Sequence, residues 1–220
     1  MGLITKIQGR GPLRFFAAAL MISILGLGGC SNPRAADEPG AKGRDIILLE
    51  DSSQAEAGFS LPSFATSRTV IDGSSPYADR LDAAIPTAST PGTAPIVVAM
   101  NPPKGLTDAA FKFRSAGRAI EWILVSPSDD PLAAEAAADL VVDIDPSQTV
   151  DPAFQGALER GLLELARRVA TGKARADDVA EIAAALRSAG GYDWTVAYRA
   201  DPSTGVKARN HVVVSAKPRR

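Results

Sequence analysis

The sequence predicts an α/β domain, a parallel sheet with flanking helices that ends in a C-terminal β-hairpin. Three observations predict it. Short, near-continuous apolar runs recur at Ile96–Met100 (IVVAM), Ala119–Val125 (AIEWILV) and Leu140–Ile144 (LVVDI), as in strands buried on both faces. Segments with helical spacing separate them. The pairs Asp130-Pro131 and Asp151-Pro152 each supply an N-cap followed by proline at the first helical position. Strands and helices alternating in this way form right-handed βαβ units.

Asp45–Glu50 (DIILLE) is an apolar run bounded by charge and predicts the first strand. Asp51–Ser67, rich in Ser, Ala and Gly, is expected to be loop. Tyr77, Leu81 and Ile85 are four residues apart and predict a short helix within Ser75–Ile85; Pro86–Pro95 (PTASTPGTAP) is a second loop. After the strand at Ile96 come the loop Asn101–Gly105, a helix over Leu106–Ala116 and the strand Ala119–Val125. The loop Ser126–Asp129, the helix Pro131–Ala138 and the strand Leu140–Ile144 follow. The helix that Asp151 opens aligns Phe154, Leu158, Leu162, Leu165 and Val169 on one stripe and ends near Gly172. A further helix, Ala176–Ser188, aligns Val179, Ile182 and Leu186 and stops at Gly190-Gly191. Trp194–Tyr198 and His211–Ser215 predict two last strands, joined by the turn-rich Asp201–Gly205.

The start of the chain has a different pattern. Lys6, Arg10 and Arg14 precede an apolar stretch, Phe15 to Leu27, and no acidic residue occurs before Asp37. That stretch is shorter than the about 20 residues a membrane span needs and has the length of a signal-peptide core. Leu27-Gly28-Gly29-Cys30 resembles the lipobox of bacterial lipoproteins, whose cysteine is acylated and becomes the mature N-terminus. The resemblance implies a signal peptide over residues 1–29, lipidation at Cys30, a polar tether over 30–44 and a single α/β domain over 45–220. It also implies the membrane as a partner, held through the N-terminal lipid, and a place in the cell envelope. Ser31 rather than Asp follows the cysteine. By the same resemblance, this favours the periplasmic side of the outer membrane in a Gram-negative cell and the cell surface otherwise.

Removing residues 1–29 takes three of the 24 basic residues and none of the 25 acidic ones, leaving 21 and a net charge of −4. A mildly acidic, mixed-sign surface argues against nucleic acid as a partner, because that requires a basic patch. One cysteine and one histidine, His211, leave no internal disulfide and no zinc site of His and Cys ligands. Asp143–Asp151 alternates oxygens like an EF-hand loop, but Gln148 stands at the glycine position and Phe154 at the bidentate-glutamate position. No metal and no cofactor is expected. There is no nucleophile elbow, P-loop or dinucleotide fingerprint, so catalysis is not expected either.

In an open parallel sheet, ligands bind beyond the carboxyl ends of the strands. The candidates there are Asn101, Ser126, Asp143 and Asp145, whose amide, hydroxyl and carboxylate groups suit a small polar solute. The same residue types also cap helices and form turns. His211 opens the apolar strand HVVV and is expected to be a strand residue rather than a catalyst. Trp122 belongs to the core, and Trp194 opens a strand.

The stretches APIVVAMNPPKGLTDAAFKF, IEWILVSPSDDP and AAADLVVDID, from Ala94 to Asp145, resemble bacterial lipoproteins related to periplasmic, type I-like solute-binding proteins. The resemblance implies a solute-binding lobe and a transporter or another envelope protein as partner. The 191 residues after the signal are short for two such lobes. A structural or protein-interaction lipoprotein without a small-molecule site is the alternative. An envelope hydrolase would need His211 to converge with a serine and an aspartate.

Overall fold

A computed structural model describes residues 44–51, 61–71, 81, 82, 85, 91–102, 105–127, 129–200 and 204–219; Cys30 and the tether up to residue 43 lie outside the described residues. All described residues belong to the compact unit Ala41–Arg220. Its elements are β1 (Ile46–Asp51), β2 (Ser67–Ile71), β3 (Ile96–Met100), α1 (Leu106–Ser115), β4 (Glu121–Val125), α2 (Pro131–Ala137) and β5 (Leu140–Ile144). They continue with α3 (Pro152–Ala170), α4 (Val179–Ser188), β6 (Tyr192–Ala200) and β7 (Lys207–Pro218).

The strands form one seven-stranded sheet in the order β2-β1-β3-β4-β5-β7-β6. The first five are parallel, and β7 continues parallel to β5 with His211 opposite Val141 and Val213 opposite Asp143. Strand β6 returns antiparallel to β7, with Thr195 opposite Ser215, and forms the far edge. The order β2-β1-β3-β4-β5 is that of a doubly wound sheet, and the α/β class with its C-terminal hairpin is as the sequence predicts.

Alternation along each strand sends side chains to two cores. On one face, Ile46, Leu48, Val98, Ile123, Val142, Val212 and Val214 pack with Phe154, Leu158 and Leu162 of α3 and Ile182 and Leu186 of α4. On the other, Ile47, Val97, Trp122 and Val141 meet Leu106, Ala110 and Phe113 of α1 and Ala134 and Ala137 of α2. Among the described residues, this second core takes nothing from β6 or β7, so no described helix covers that face of the hairpin.

The caps expected at Asp130 and Asp151 form, and Asp178 adds one that was not expected. Asp130 accepts from Leu132 N–H at 2.9 Å, Asp151 from Phe154 N–H at 2.6 Å and Asp178 from Ala180 N–H at 2.8 Å. Helix α1 has Gly105 at its N-cap with φ of 95°, and the Asp129 carboxylate reaches over from the next loop to accept from Gly105 and Thr107 N–H. At Gly161 a Cβ would stand 2.8 Å from Leu186 Cα, which shows how closely α3 and α4 approach.

Several boundaries differ from expectation. Ser67–Ile71 (SRTVI) is a strand whose first residue ends the stretch read as loop. It lies at the sheet edge, its Val70 is exposed, and its Arg68 pairs with the buried Glu50, so it lacks the apolar run of a central strand. Helix α4 begins at Val179 behind its Asp178 cap, not at Ala176. Strands β6 and β7 are longer than their apolar runs, because their uncovered face carries polar residues. Most of the expected helix Ser75–Ile85 lies outside the described residues, while Leu81 and Ile85 are buried. Trp194 is buried in an aromatic cluster, 5.3 Å from the Phe154 ring and 5.6 Å from that of Tyr192.

Candidate binding site

The uncovered face of the hairpin begins where α2 ends, and a charged cluster marks that boundary. His211 of β7 and Asp143 of β5 share this face, since Asp143 stands opposite Val213, two residues beyond His211. Glu135 comes from α2. The position of that helix is fixed from β7: Asn210 Nδ2 donates to the Glu135 and Ala138 carbonyls at 2.8 and 3.0 Å. Those are last-turn carbonyls, the groups a helix end leaves without partners.

His211 is fully buried. Its Nδ1 lies 2.6 Å from Glu135 Oε1 and its Nε2 2.9 Å from Asp143 Oδ2. Arg199 of β6 donates through Nη1 to the same Asp143 oxygen at 2.9 Å, and that nitrogen is 3.3 Å from His211 Nε2. Burial opposes a charged ring. Hydrogen bonds to Asp143 and Glu135, with the Asp143 charge, outweigh both burial and the repulsion of Arg199, so the His211 pKa is raised above 6.5. An imidazolium that donates from both nitrogens to two carboxylates matches this geometry.

The chemical consequence is specific. A general base needs a ring nitrogen free to take a proton, and both nitrogens of His211 are engaged by carboxylates. The expected requirement for a hydrolase, a serine on the imidazole, is not met among the described contacts of His211. The imidazolium instead fixes two carboxylates, and these fix Arg199.

Arg199 separates two open grooves. One, of about 380 Å³, is lined by Ser126, Pro127, Asp143, Ile144, Arg199 and Val213. The other, of about 540 Å³, runs past Asp130, Leu132, Glu135, Arg199, Val206 and Lys207. Both volumes fall within the range of small-molecule sites. The contacts of Arg199 with Asp143 and His211 both run through Nη1, and a guanidinium carries further donors in its planar fork.

Of the four sequence candidates, Ser126 and Asp143 line one groove together. Asn101 and Ser126 end the adjacent strands β3 and β4 with φ of 44° and 48°, left-handed values uncommon outside glycine. Their N–H groups bond to the Val125 and Val142 carbonyls of the next strands. Asn101 is not in the lining of that groove. Asp145 serves its own turn, accepting from Ser147 N–H at 2.8 Å and Ser147 Oγ at 2.6 Å. These bonds hold its carboxyl below the usual range.

Sequence reasoning missed Arg199 and Glu135. A signal for Arg199 exists, since it continues the alternation Asp193, Thr195, Ala197 on the uncovered face of β6. Glu135 gave none, being one charge among alanines. Among the described residues, no group of three His, Cys, Asp or Glu is arranged to hold a metal ion, and no helix is long and apolar enough to cross a membrane.

A model of an uncharacterised family matches residues 159–216. The matched stretch includes Arg199 and His211 and excludes Glu135 and Asp143. No curated protein and no solved structure matches the chain.

Proposed function

We propose that this chain is a lipid-anchored cell-envelope protein whose α/β domain binds a small polar solute without transforming it. The observation that carries the reading is Arg199, held by Asp143 between two open grooves at the uncovered end of the sheet. Its guanidinium suits a carboxylate on the solute. Ser126 and Asp143 beside it suit a hydroxyl or ammonium group. A solute carrying both kinds of group, such as an amino acid or a hydroxy acid, fits the charges best. The engaged state of both His211 nitrogens favours binding over catalysis.

The anchoring part of the proposal rests on the lipobox-like Leu27–Cys30 and the apolar segment before it. A transporter or another envelope protein would receive the solute. A second reading, an interaction module without a small-molecule site, is favoured by the openness of both grooves and by the face of β6 and β7 that no described helix covers. A thermal-shift screen of the full chain against amino acids, hydroxy acids, sugars and nucleosides distinguishes the two. Ligand binding to the folded state raises the melting temperature, so a rise confined to the carboxylate-bearing classes supports solute binding. A flat response across all classes favours the interaction module.

A further inference from the structure

Strand β6 is a nine-residue edge strand, and among the described residues only β7 pairs with it. Its outer row of backbone donors and acceptors is the kind of edge that recruits another strand unless it is blocked. Proline and lysine, common blocking residues, are absent from Tyr-Asp-Trp-Thr-Val-Ala-Tyr-Arg-Ala, residues 192–200, and the pairing with β7 is regular from Tyr192 to Tyr198, its register shift falling between Tyr198 and Ala200 at the end of the strand.

The order of residues is self-complementary about Val196. If a second copy of β6 lies antiparallel with Val196 opposite Val196, Asp193 falls opposite Arg199, Trp194 opposite Tyr198 and Thr195 opposite Ala197. The Asp193–Arg199 and Trp194–Tyr198 pairs then each occur twice, charge on opposite charge and aromatic on aromatic, the pair types that stabilise antiparallel strands, while Tyr192 falls opposite Ala200. The two charges lie on the uncovered face, with Thr195 and Ala197 exposed between them. Trp194 and Tyr198 lie on the face of α4, where the Tyr198 hydroxyl donates to the Asp177 carbonyl at 3.0 Å. A shift of one residue in this register would put every side chain on the wrong face.

We infer that β6 is a homodimerisation edge, on which two copies of this chain pair antiparallel about Val196 to make a continuous sheet of fourteen strands, twice the seven of each copy. A two-fold axis through Val196 makes the contact isologous and closed, so it ends at two copies. It also brings the partner's Asp193 to Arg199, at the rim of both grooves. The inference does not depend on a solute.

The test uses the full chain with Cys30→Ser, which removes the single native thiol, and adds Thr195→Cys in one preparation and Ala197→Cys in another. Residues directly opposite across antiparallel strands are about 4.5–5.5 Å apart at Cα, within disulfide reach, whereas diagonal neighbours about 7–8 Å apart are at or beyond its limit. Mixing the two preparations under copper-phenanthroline oxidation should give a cross-linked dimer, and neither preparation alone should do so. Sedimentation of the chain without added cysteines should show a dimer that Asp193→Lys weakens about tenfold, since a like charge then faces Arg199 in both symmetry-related pairs. A chain that stays monomeric at every concentration overturns the inference. So does equal cross-linking by Thr195→Cys alone, or a dimer indifferent to Asp193→Lys.

Discussion

Asp143 Oδ2 accepts from Arg199 Nη1 and lies against His211 Nε2, both at 2.9 Å, so one carboxylate oxygen joins a buried imidazolium to a partly exposed guanidinium. The arrangement links the stability of the sheet to the orientation of the groove wall. Loss of the imidazolium charge removes a donor from Asp143, and loss of Asp143 releases Arg199.

Stability should therefore depend on pH through His211. The folded-state pKa is raised, chiefly because the Asp143 and Glu135 bonds outweigh burial. The contribution of the group is full below the unfolded value of about 6.5 and is lost as pH rises through the folded value. Urea midpoints of the wild type should fall over that window more steeply than those of His211→Asn. Parallel slopes for the two proteins would contradict the charged-histidine account.

Glu135→Ala should destabilise the fold by about 1–3 kcal/mol, because it leaves a buried ring donor without its acceptor. Denaturant unfolding measures this. The same substitution should lower the His211 pKa, visible in the pH dependence of its ring NMR shifts.

Arg199→Gln should cost much less stability, about 1 kcal/mol or below, because its ion pair with Asp143 is about one-third exposed at both partners. The native circular dichroism spectrum should be kept. Its effect belongs to binding, since the guanidinium faces both grooves.

Gly161→Ala should lower stability by about 1–3 kcal/mol through overpacking. The added methyl meets the Leu186 backbone as well as its side chain, at 2.8 and 2.7 Å. Helix propensity alone would make the change favourable, so the sign of the shift in melting temperature separates the two effects.

Cys30→Ser should abolish acylation while leaving the melting temperature of the domain unchanged. Metabolic labelling with a fatty acid checks the first half. Retained label would contradict the lipobox reading of Leu27–Cys30.

The central strands were legible because β3, β4 and β5 are buried on both faces and their apolar runs are continuous. The caps Asp130 and Asp151 were legible because each acts within two or three residues of itself and precedes a proline; Asp178, which lay inside the expected helix Ala176–Ser188, was not. Ser67–Ile71 was not, since an edge strand carrying Arg68 and an exposed Val70 has little apolar pattern to show. The site was half legible. Ser126 and Asp143 sit at strand ends, where topology alone places ligand groups, but Arg199 and Glu135 reach them across 56 and 76 residues of chain, Arg199 on Asp143 and Glu135 on His211. Contacts that distant depend on strand order, and the insertion of β7 between β5 and β6 is not encoded in any local pattern. His211 was read as a strand residue, which it is, without a choice between packed and exposed; its burial and its two carboxylate partners come from the same long-range pairing.

The most direct measurement of the solute-binding claim is the thermal-shift screen run side by side on wild type and Arg199→Gln. The account predicts that a carboxylate-bearing class raises the wild-type melting temperature and leaves that of Arg199→Gln unmoved. Equal shifts in the two proteins, or no shift from any class in either, would contradict it.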